Sequence, residues 1–368
     1  MAPSDQRVSA DALHALCCDC LAAQGIPPDD ATAVADALLY ATLRGLDTHG
    51  LGRLPLYMRR VAAGTTGSSE RMTELAGEGA VRRLDAAQAL GPAAGVRAAD
   101  LAADLAHDYG IGLVSLGRAT HFGAAGFYAR RVTRRSLVAV VVSNGARVVA
   151  PHGAAERLLG TNPLAIALPL GRHGELVLDM STSATTQAAT RRAAQEERDL
   201  EPGVAIDEAG RPTVDPEAAL AGSLLPFGGA KGSGLALVIA LAAALLGAGA
   251  LDDELPSIYR ELDRPQDLGQ VFFALDPSRL TEPVRTLPRL EAFVDRLHAL
   301  APAESHEGAR LPGQAGDALA RERVASGIPL GRGALESVAV GCDECGLPEL
   351  AERARRLDRP GEASVPRS

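Results

Sequence analysis

A chain of 368 residues of which 46% are hydrophobic has the material for a large core, and a chain this long buries roughly three quarters of its unfolded surface. Its net charge of −9 and sequence pI near 5.5 exclude a general nucleic-acid binder, because phosphate binding needs a basic footprint. The partner expected is a small molecule, with no nucleic acid and no membrane. Met1 to Val8 carry neither an apolar run nor a small-residue cleavage pattern, so a cytoplasmic protein is expected.

Ser9 is placed to cap a helix over 10–23, and Asp29 or Asp30 to cap a second over 31–43, both amphipathic. Gly25-Ile26-Pro27-Pro28 makes the turn between them, and the glycine- and serine-rich run 64–69 closes this helical portion. From about Gly110 the texture changes to short β-like runs at 111–116, 137–143, 164–170 and 175–179. Helical stretches alternate with them, one over 124–135 and another after Lys231, so the middle of the chain reads as an α/β layer structure. The uncharged run 234–251 is dominated by alanine and glycine and is short for a bilayer crossing, which predicts a buried core helix. The expected organisation is a helical N-terminal segment at 1–75, an α/β core at 76–255, a segment packing back on that core at 256–357, and a charged, Pro- and Ser-containing disordered tail at 358–368.

Five cysteines fall as Cys17, Cys18, Cys20 and Cys342, Cys345. The last two have the spacing of half a zinc site, but no second spaced pair completes a tetrahedral set, and the first three lie in an apolar helical pattern, so no metal is expected.

Lys231 is the sole lysine; every other basic residue among the 37 is arginine. It follows Phe227-Gly228-Gly229-Ala230 and precedes the uncharged helical run, a setting suited to an anion, where a compact ammonium group fits a narrow site that a planar guanidinium does not. Arg44 to Arg53 packs Thr48, His49 and two arginines into ten positions. A helical continuation there puts His49 and Arg53 on one face, where a guanidinium can grip a carboxylate while an imidazole moves a proton; a polar helix end capped by Thr48 is the equal alternative. His121, in Thr120-His121-Phe122-Gly123, follows a strand and precedes a helix, the place where open α/β sheets bind ligands. The glycines there do not form a dinucleotide fingerprint. Asp179 and the Gly160-Thr161-Asn162-Pro163 turn add polar groups at strand ends, where a cap or turn role is the plainer reading.

Taken in order, Arg-Gly-Leu-Asp-Thr-His-Gly with Arg53 and Tyr57, Thr-His-Phe-Gly, Ser143-Asn144, Gly-Thr-Asn-Pro, Asp-Met-Ser-Thr-Ser, Leu-Leu-Pro-Phe-Gly-Gly-Ala-Lys-Gly and Leu311-Pro312-Gly313 before Gly327-Ile328-Pro329 resemble the malate/L-lactate/L-sulfolactate dehydrogenase family, which includes ureidoglycolate dehydrogenase, diketogulonate reductase and cyclic ketimine reductases. The resemblance runs from about Ser9 to Pro348. It implies an NAD- or NADP-dependent oxidoreductase with an α/β, non-Rossmann fold, a mixed sheet flanked by helices, and a homodimer with active sites near the subunit contact. It implies that His121, Phe122, Gly123, Ser143, Thr161, Asp179, Met180, Ser181 and Lys231 line the cofactor. Thr48, His49 and His121 are then the catalytic candidates, with Arg53 and Tyr57 on the substrate.

Three departures bear on the substrate. Thr48 replaces the usual serine, Gln270 stands where a histidine is common, and the run 184–189 after Ser183 lacks the small stretch ending in a charged residue beside glycine. The expected reaction is hydride transfer between nicotinamide and the C2 of a 2-oxo or 2-hydroxy acid, with Arg53 on the carboxylate and either His49 or His121 as the acid–base group. Reduction of a cyclic C=N bond beside a carboxylate would use the same residues, and a non-redox relative that only binds in the old pocket is the reading that the departure at 184–189 supports.

Overall fold

The computed structural model describes residues 7–330 and 333–358. Apart from Asp358, the tail expected at 358–368 lies outside the described residues. Among them, a seven-stranded sheet runs in the order Thr73–Glu78, Val81–Asp85, Ile111–Ala119, Leu268–Leu275, Val138–Ser143, Leu164–Pro169, Glu175–Met180. Only Val81–Asp85 and Ile111–Ala119 pair in parallel, and the other five pairings are antiparallel. A mixed sheet with an antiparallel strand at its centre is not the parallel, doubly wound Rossmann sheet.

Four of these strands match the expected runs to within three residues. The central one, Leu268–Leu275, was not anticipated. It is covered on both faces, so its run Leu-Gly-Gln-Val-Phe-Phe-Ala-Leu shows no alternation of apolar and polar residues to betray a strand. Gly91–Tyr109 packs one face on the sheet through Ala94, Ala98, Ala102 and Ala106, all fully buried. Alanine on that face lets helix and sheet approach closely, and Phe272 with Tyr128 fills the larger gap beside it.

A second core joins the two ends of the chain. The helices Ala10–Ala22, Pro28–Leu43 and Leu54–Ala62 pack with Ala334–Glu344 and Pro348–Leu357 around Leu13, Leu38, Leu54, Leu335 and Val338. Each such leucine contributes about 1.5–3 kcal/mol by burial. Cys20 and Cys342 meet inside this core with their sulfurs 3.5 Å apart, as free thiols.

Ser9 caps the first helix as expected, accepting from the Ala12 N–H. The second does not use an aspartate cap. It starts at Pro28 after an extended Pro27, because proline's fixed φ suits the first helical position. Asp30 instead is buried and accepts from the Ser69 backbone N–H at 2.6 Å and from its hydroxyl. The uncharged run is also corrected: the helix spans Ala230–Gly247, takes Lys231 into its first turn, and is only half covered. Its packed side is mostly of small residues, Gly232, Ala236, Ala240, Ala243 and Gly247 with Ile239 among them, whereas Val238 and Leu245 are 63% and 82% exposed. An absence of charge therefore marked two apolar faces, of which the single chain covers one.

Candidate active site

The segment carrying Thr48, His49 and Arg53 is not one α-helix. It forms two 3₁₀ turns, Asp47–His49 and Leu51–Arg53, broken at Gly50, before the helix Leu54–Ala62 begins. Gly50 lies so close to Thr42 that a Cβ would sit 2.5 Å from the Thr42 hydroxyl oxygen. That hydroxyl accepts from the Leu51 N–H at 2.9 Å and donates to the Leu38 carbonyl at 2.8 Å, which pins the break to the preceding helix. The Thr48 side chain is not a helix cap; it shares a 2.9 Å hydrogen bond with His49 Nδ1.

His121 follows the strand Ile111–Ala119 and is held from three sides. Its backbone N–H donates to Gln266 Oε1 at 3.1 Å, and its Nδ1 shares a 2.9 Å hydrogen bond with the Tyr57 hydroxyl. Gly91 packs against the His121 backbone, where a Cβ would come within 2.2 Å of the His121 carbonyl oxygen. Tyr57 is thus behind His121, buried, and does not line the cleft. Gln270, in the central strand, donates to the Thr120 carbonyl at 2.9 Å and so steadies the same segment from below.

The two histidines come together. Their rings stack at 5.7 Å between centroids and 8° between planes. Burial and the nearby Arg53 push His49 down to about 4, and burial, Arg53 and His49 push His121 well below the ordinary histidine value. Both imidazoles are therefore neutral at pH 7, each with Nδ1 engaged and Nε2 left for a ligand. Arg53 donates through Nε to the Thr48 carbonyl at 2.6 Å and through Nη1 to the Tyr259 hydroxyl at 2.5 Å. Neither partner is a carboxylate, so its charge is not neutralised there.

These groups border a cleft of about 1020 Å³, large enough for a dinucleotide and a small acid together. Thr48, His49, Arg53 and His121 line one part of it, with Phe122 and Gly123 beside them. Ser143 lines it from the end of the strand Val138–Ser143, Thr161 from the turn before Leu164–Pro169, and Asp179, Met180 and Ser181 from the end of the strand Glu175–Met180. Asp179 accepts from the Gly126 N–H at 2.9 Å, and burial raises its carboxyl to about 6. Lys231 lies outside this lining, exposed in the first turn of its helix. It shares a face with Val238 and Leu245, seven and fourteen residues on.

Among the lining residues that escaped the sequence reading are Arg191, Tyr259 and Gln266. Arg191 sits on the helix Gln187–Gln195, capped by Thr186, one turn beyond the segment that lacks a charge in the motif. Tyr259 lies in a loop with no periodic pattern, and no local signal marks Gln266.

A family profile described as malate/L-lactate dehydrogenase matches residues 8–339. The chain is 35% identical over 305 residues to (2R)-3-sulfolactate dehydrogenase (NADP(+)) of Chromohalobacter salexigens, covering 82% of this chain and 88% of that one. It is 29% identical over 326 residues to ureidoglycolate dehydrogenase (NAD(+)) of Escherichia coli O157:H7, covering 88% and 92%. Among solved structures, delta1-piperideine-2-carboxylate reductase from Pseudomonas syringae pvar. tomato superposes with a TM-score of 0.82 at 30% identity, over 94% of this chain and 99% of that one.

Proposed function

From the chain's membership of the malate/L-lactate dehydrogenase family, we propose that the cleft transfers a hydride between nicotinamide C4 and the C2 of a small 2-oxo or 2-hydroxy carboxylic acid. The protein is an NAD(P)-dependent oxidoreductase. The bound nicotinamide supplies or accepts the hydride, and the chain's own residues bind, orient and move the proton. Arg53 holds the substrate carboxylate with the part of its guanidinium left free by Thr48 and Tyr259. His49 exchanges the proton with the C2 oxygen through Nε2, its Nδ1 fixed by Thr48. His121, fixed by Tyr57, positions substrate against nicotinamide. Phe122, Gly123, Ser143, Thr161, Asp179, Met180 and Ser181 hold the nucleotide, and Lys231, outside the lining of the single chain, reaches it only from across a subunit contact.

The observation that carries this reading is the stacked pair of neutral imidazoles beside a guanidinium without a carboxylate partner. A structural ion-pair cluster would have satisfied Arg53 with an acid; this one leaves a charge for an incoming anion. A second reading is reduction of a cyclic imine carboxylate, favoured by the likeness to the piperideine-2-carboxylate reductase. Both substrates present a carboxylate and an sp² carbon to the same hydride. A turnover screen of 2-oxo acids and cyclic imine carboxylates with NADH and NADPH tests both. Oxidation of reduced nicotinamide by 2-oxo acids is expected; turnover of the imines alone would move the reaction to C=N.

The stripe of Leu237, Val238, Leu241 and Leu245 is too apolar to face water over a whole helix, and a homodimer that covers it completes the proposal. Such a contact would bring Lys231 to the subunit boundary. Five cysteines persisting as free thiols suit the cytoplasm.

A further inference from the structure

The departure after Ser183 removes the charge expected at 184–189, but the fold restores one from a different place. Thr186 caps the helix Gln187–Gln195, accepting from the Ala189 N–H at 3.1 Å, and one turn on Arg191 enters the cleft. Its neighbour Arg192 does not line the cleft and is neutralised by Asp47 and Glu196. Among the described residues Arg191 has no ion pair, and its Nε is buried without a hydrogen-bond partner. A buried N–H left unmade costs about 1–3 kcal/mol, more when charged, so this group is poised for a ligand rather than for the protein.

Its position says which part of a ligand. The Arg191 guanidinium lies over the Tyr259 ring, 4.9 Å from the centroid. Arg53 lies 5.2 Å from the same centroid and donates to that tyrosine's hydroxyl. One ring thus spaces two guanidinia, whose central carbons are within about 10 Å of each other. A guanidinium carbon sits about 4 Å from the carbon of a carboxylate it grips side-on, and the two acid groups of a 2-oxo acid that carries a second one on C3 are themselves a few ångströms apart. A separation no greater than this lets one short molecule bridge both arginines. A monoanion would satisfy Arg53 and leave Arg191 uncompensated.

We propose that Arg191 is a specificity-determining residue that grips a second acid group, carboxylate or sulfonate, on C3 of the substrate, so that the cleft selects dianionic over monoanionic 2-oxo acids. The inference rests on the 2-oxo acid reading above. Tyr259 is the positioning residue that holds the two guanidinia at their spacing.

The test compares wild type with Arg191→Gln and Arg191→Lys, using oxaloacetate and 3-sulfopyruvate against pyruvate. For Arg191→Gln, kcat/KM for the dianions is expected to fall at least about thirtyfold, chiefly through KM, while pyruvate changes less than about threefold and the Kd of reduced nicotinamide nucleotide stays put. Arg191→Lys should recover part of the dianion preference, since the charge remains and the fork is lost. Equal losses for pyruvate and the dianions, or weakened nucleotide binding, would overturn the assignment; the latter would make Arg191 a cofactor contact. Calorimetry with the unreactive pair 3-sulfopropionate and propionate decides the question without turnover. Tighter binding of the sulfonate by wild type, abolished in Arg191→Gln, supports the proposal, and equal affinity of wild type for both contradicts it. If wild type reduces no 2-oxo acid at all, the functional reading fails while this binding result still stands or falls by itself.

Discussion

His49 and His121 stack face to face with 5.7 Å between their ring centroids, and each has a hydroxyl partner of its own on Nδ1, Thr48 for one and Tyr57 for the other. Two imidazoles this close, beside Arg53, do not both carry charge, so a proton entering the cleft resides on one ring at a time.

His49 is the ring expected to hold it. Replacing His49 with Asn should cost on the order of 10² to 10⁴ in kcat at saturating cofactor, and the His121→Asn loss should fall mainly on binding. Oxidation of a hydroxy acid requires neutral His49, so its kcat/KM should stay level as pH falls past 6.5 and drop only toward about 4. That acid limb should vanish in His49→Asn. If the limb survives there while His121→Asn abolishes turnover, the two roles are reversed.

Arg53→Lys should raise KM for every acid substrate by one to two orders of magnitude, because an ammonium group with three donors cannot grip a carboxylate bidentately while also donating to Thr48 and Tyr259. Nucleotide affinity should hardly change. Loss of nucleotide with an unaltered substrate KM would exchange the assignments of Arg53 and the cofactor residues.

Asp179 is held by burial with its carboxyl raised to about 6. A carboxyl that ionises at about 3.8 when unfolded and about 6 when folded binds more protons in the native state between those values. The native state therefore loses stability as pH rises from about 4 to 6, and the loss persists above 6. Asp179→Asn keeps an oxygen for the Gly126 N–H and should stabilise the unliganded protein at pH 7.5 by on the order of 1–3 kcal/mol, with little effect near pH 4. Thermal scans at the two pH values read this directly. If Asp179 binds the nucleotide, as proposed, the same variant should show a smaller gain in melting temperature with NAD(P)H than wild type does.

Much of this site could be read from the chain because its residues sit in short blocks at element boundaries. Thr48, His49 and Arg53 fall within six positions, His121, Ser143 and Asp179 follow or close β-like runs and Thr161 precedes one, so the strand pattern puts them at strand ends while the family resemblance gives the last three their place on the cofactor. What the chain hid depends on tertiary distance. Tyr259 and Arg191 meet across 68 residues of sequence with no shared motif. Gln270 looked like a lost histidine, yet its place in an unpredicted central strand makes it a support for the Thr120 carbonyl. The helix Ala230–Gly247 misled for a different reason: composition reports how apolar a helix is, not how many of its faces find cover.

If that open face is a subunit contact, Leu245→Glu should shift the protein from dimer to monomer in light scattering, leaving the far-UV spectrum unchanged. A monomeric wild type would contradict the dimer proposal.

Lys231→Arg should weaken NAD(P)H binding at least tenfold, about 1.4 kcal/mol, if the ammonium group reaches the nucleotide. Equal affinities for the two proteins would leave Lys231 as a surface residue of the helix.

The central claim is hydride delivery to C2 of a 2-oxo acid in this cleft. The most direct measurement is reduction of oxaloacetate, 3-sulfopyruvate or pyruvate with reduced nicotinamide nucleotide deuterated at C4, followed by proton NMR of the product. The account predicts a 2-hydroxy acid carrying deuterium at C2, formed by wild type and nearly absent with His49→Asn. Nucleotide oxidation with no deuterium at C2, or turnover that ignores the loss of both His49 and Arg53, would contradict it.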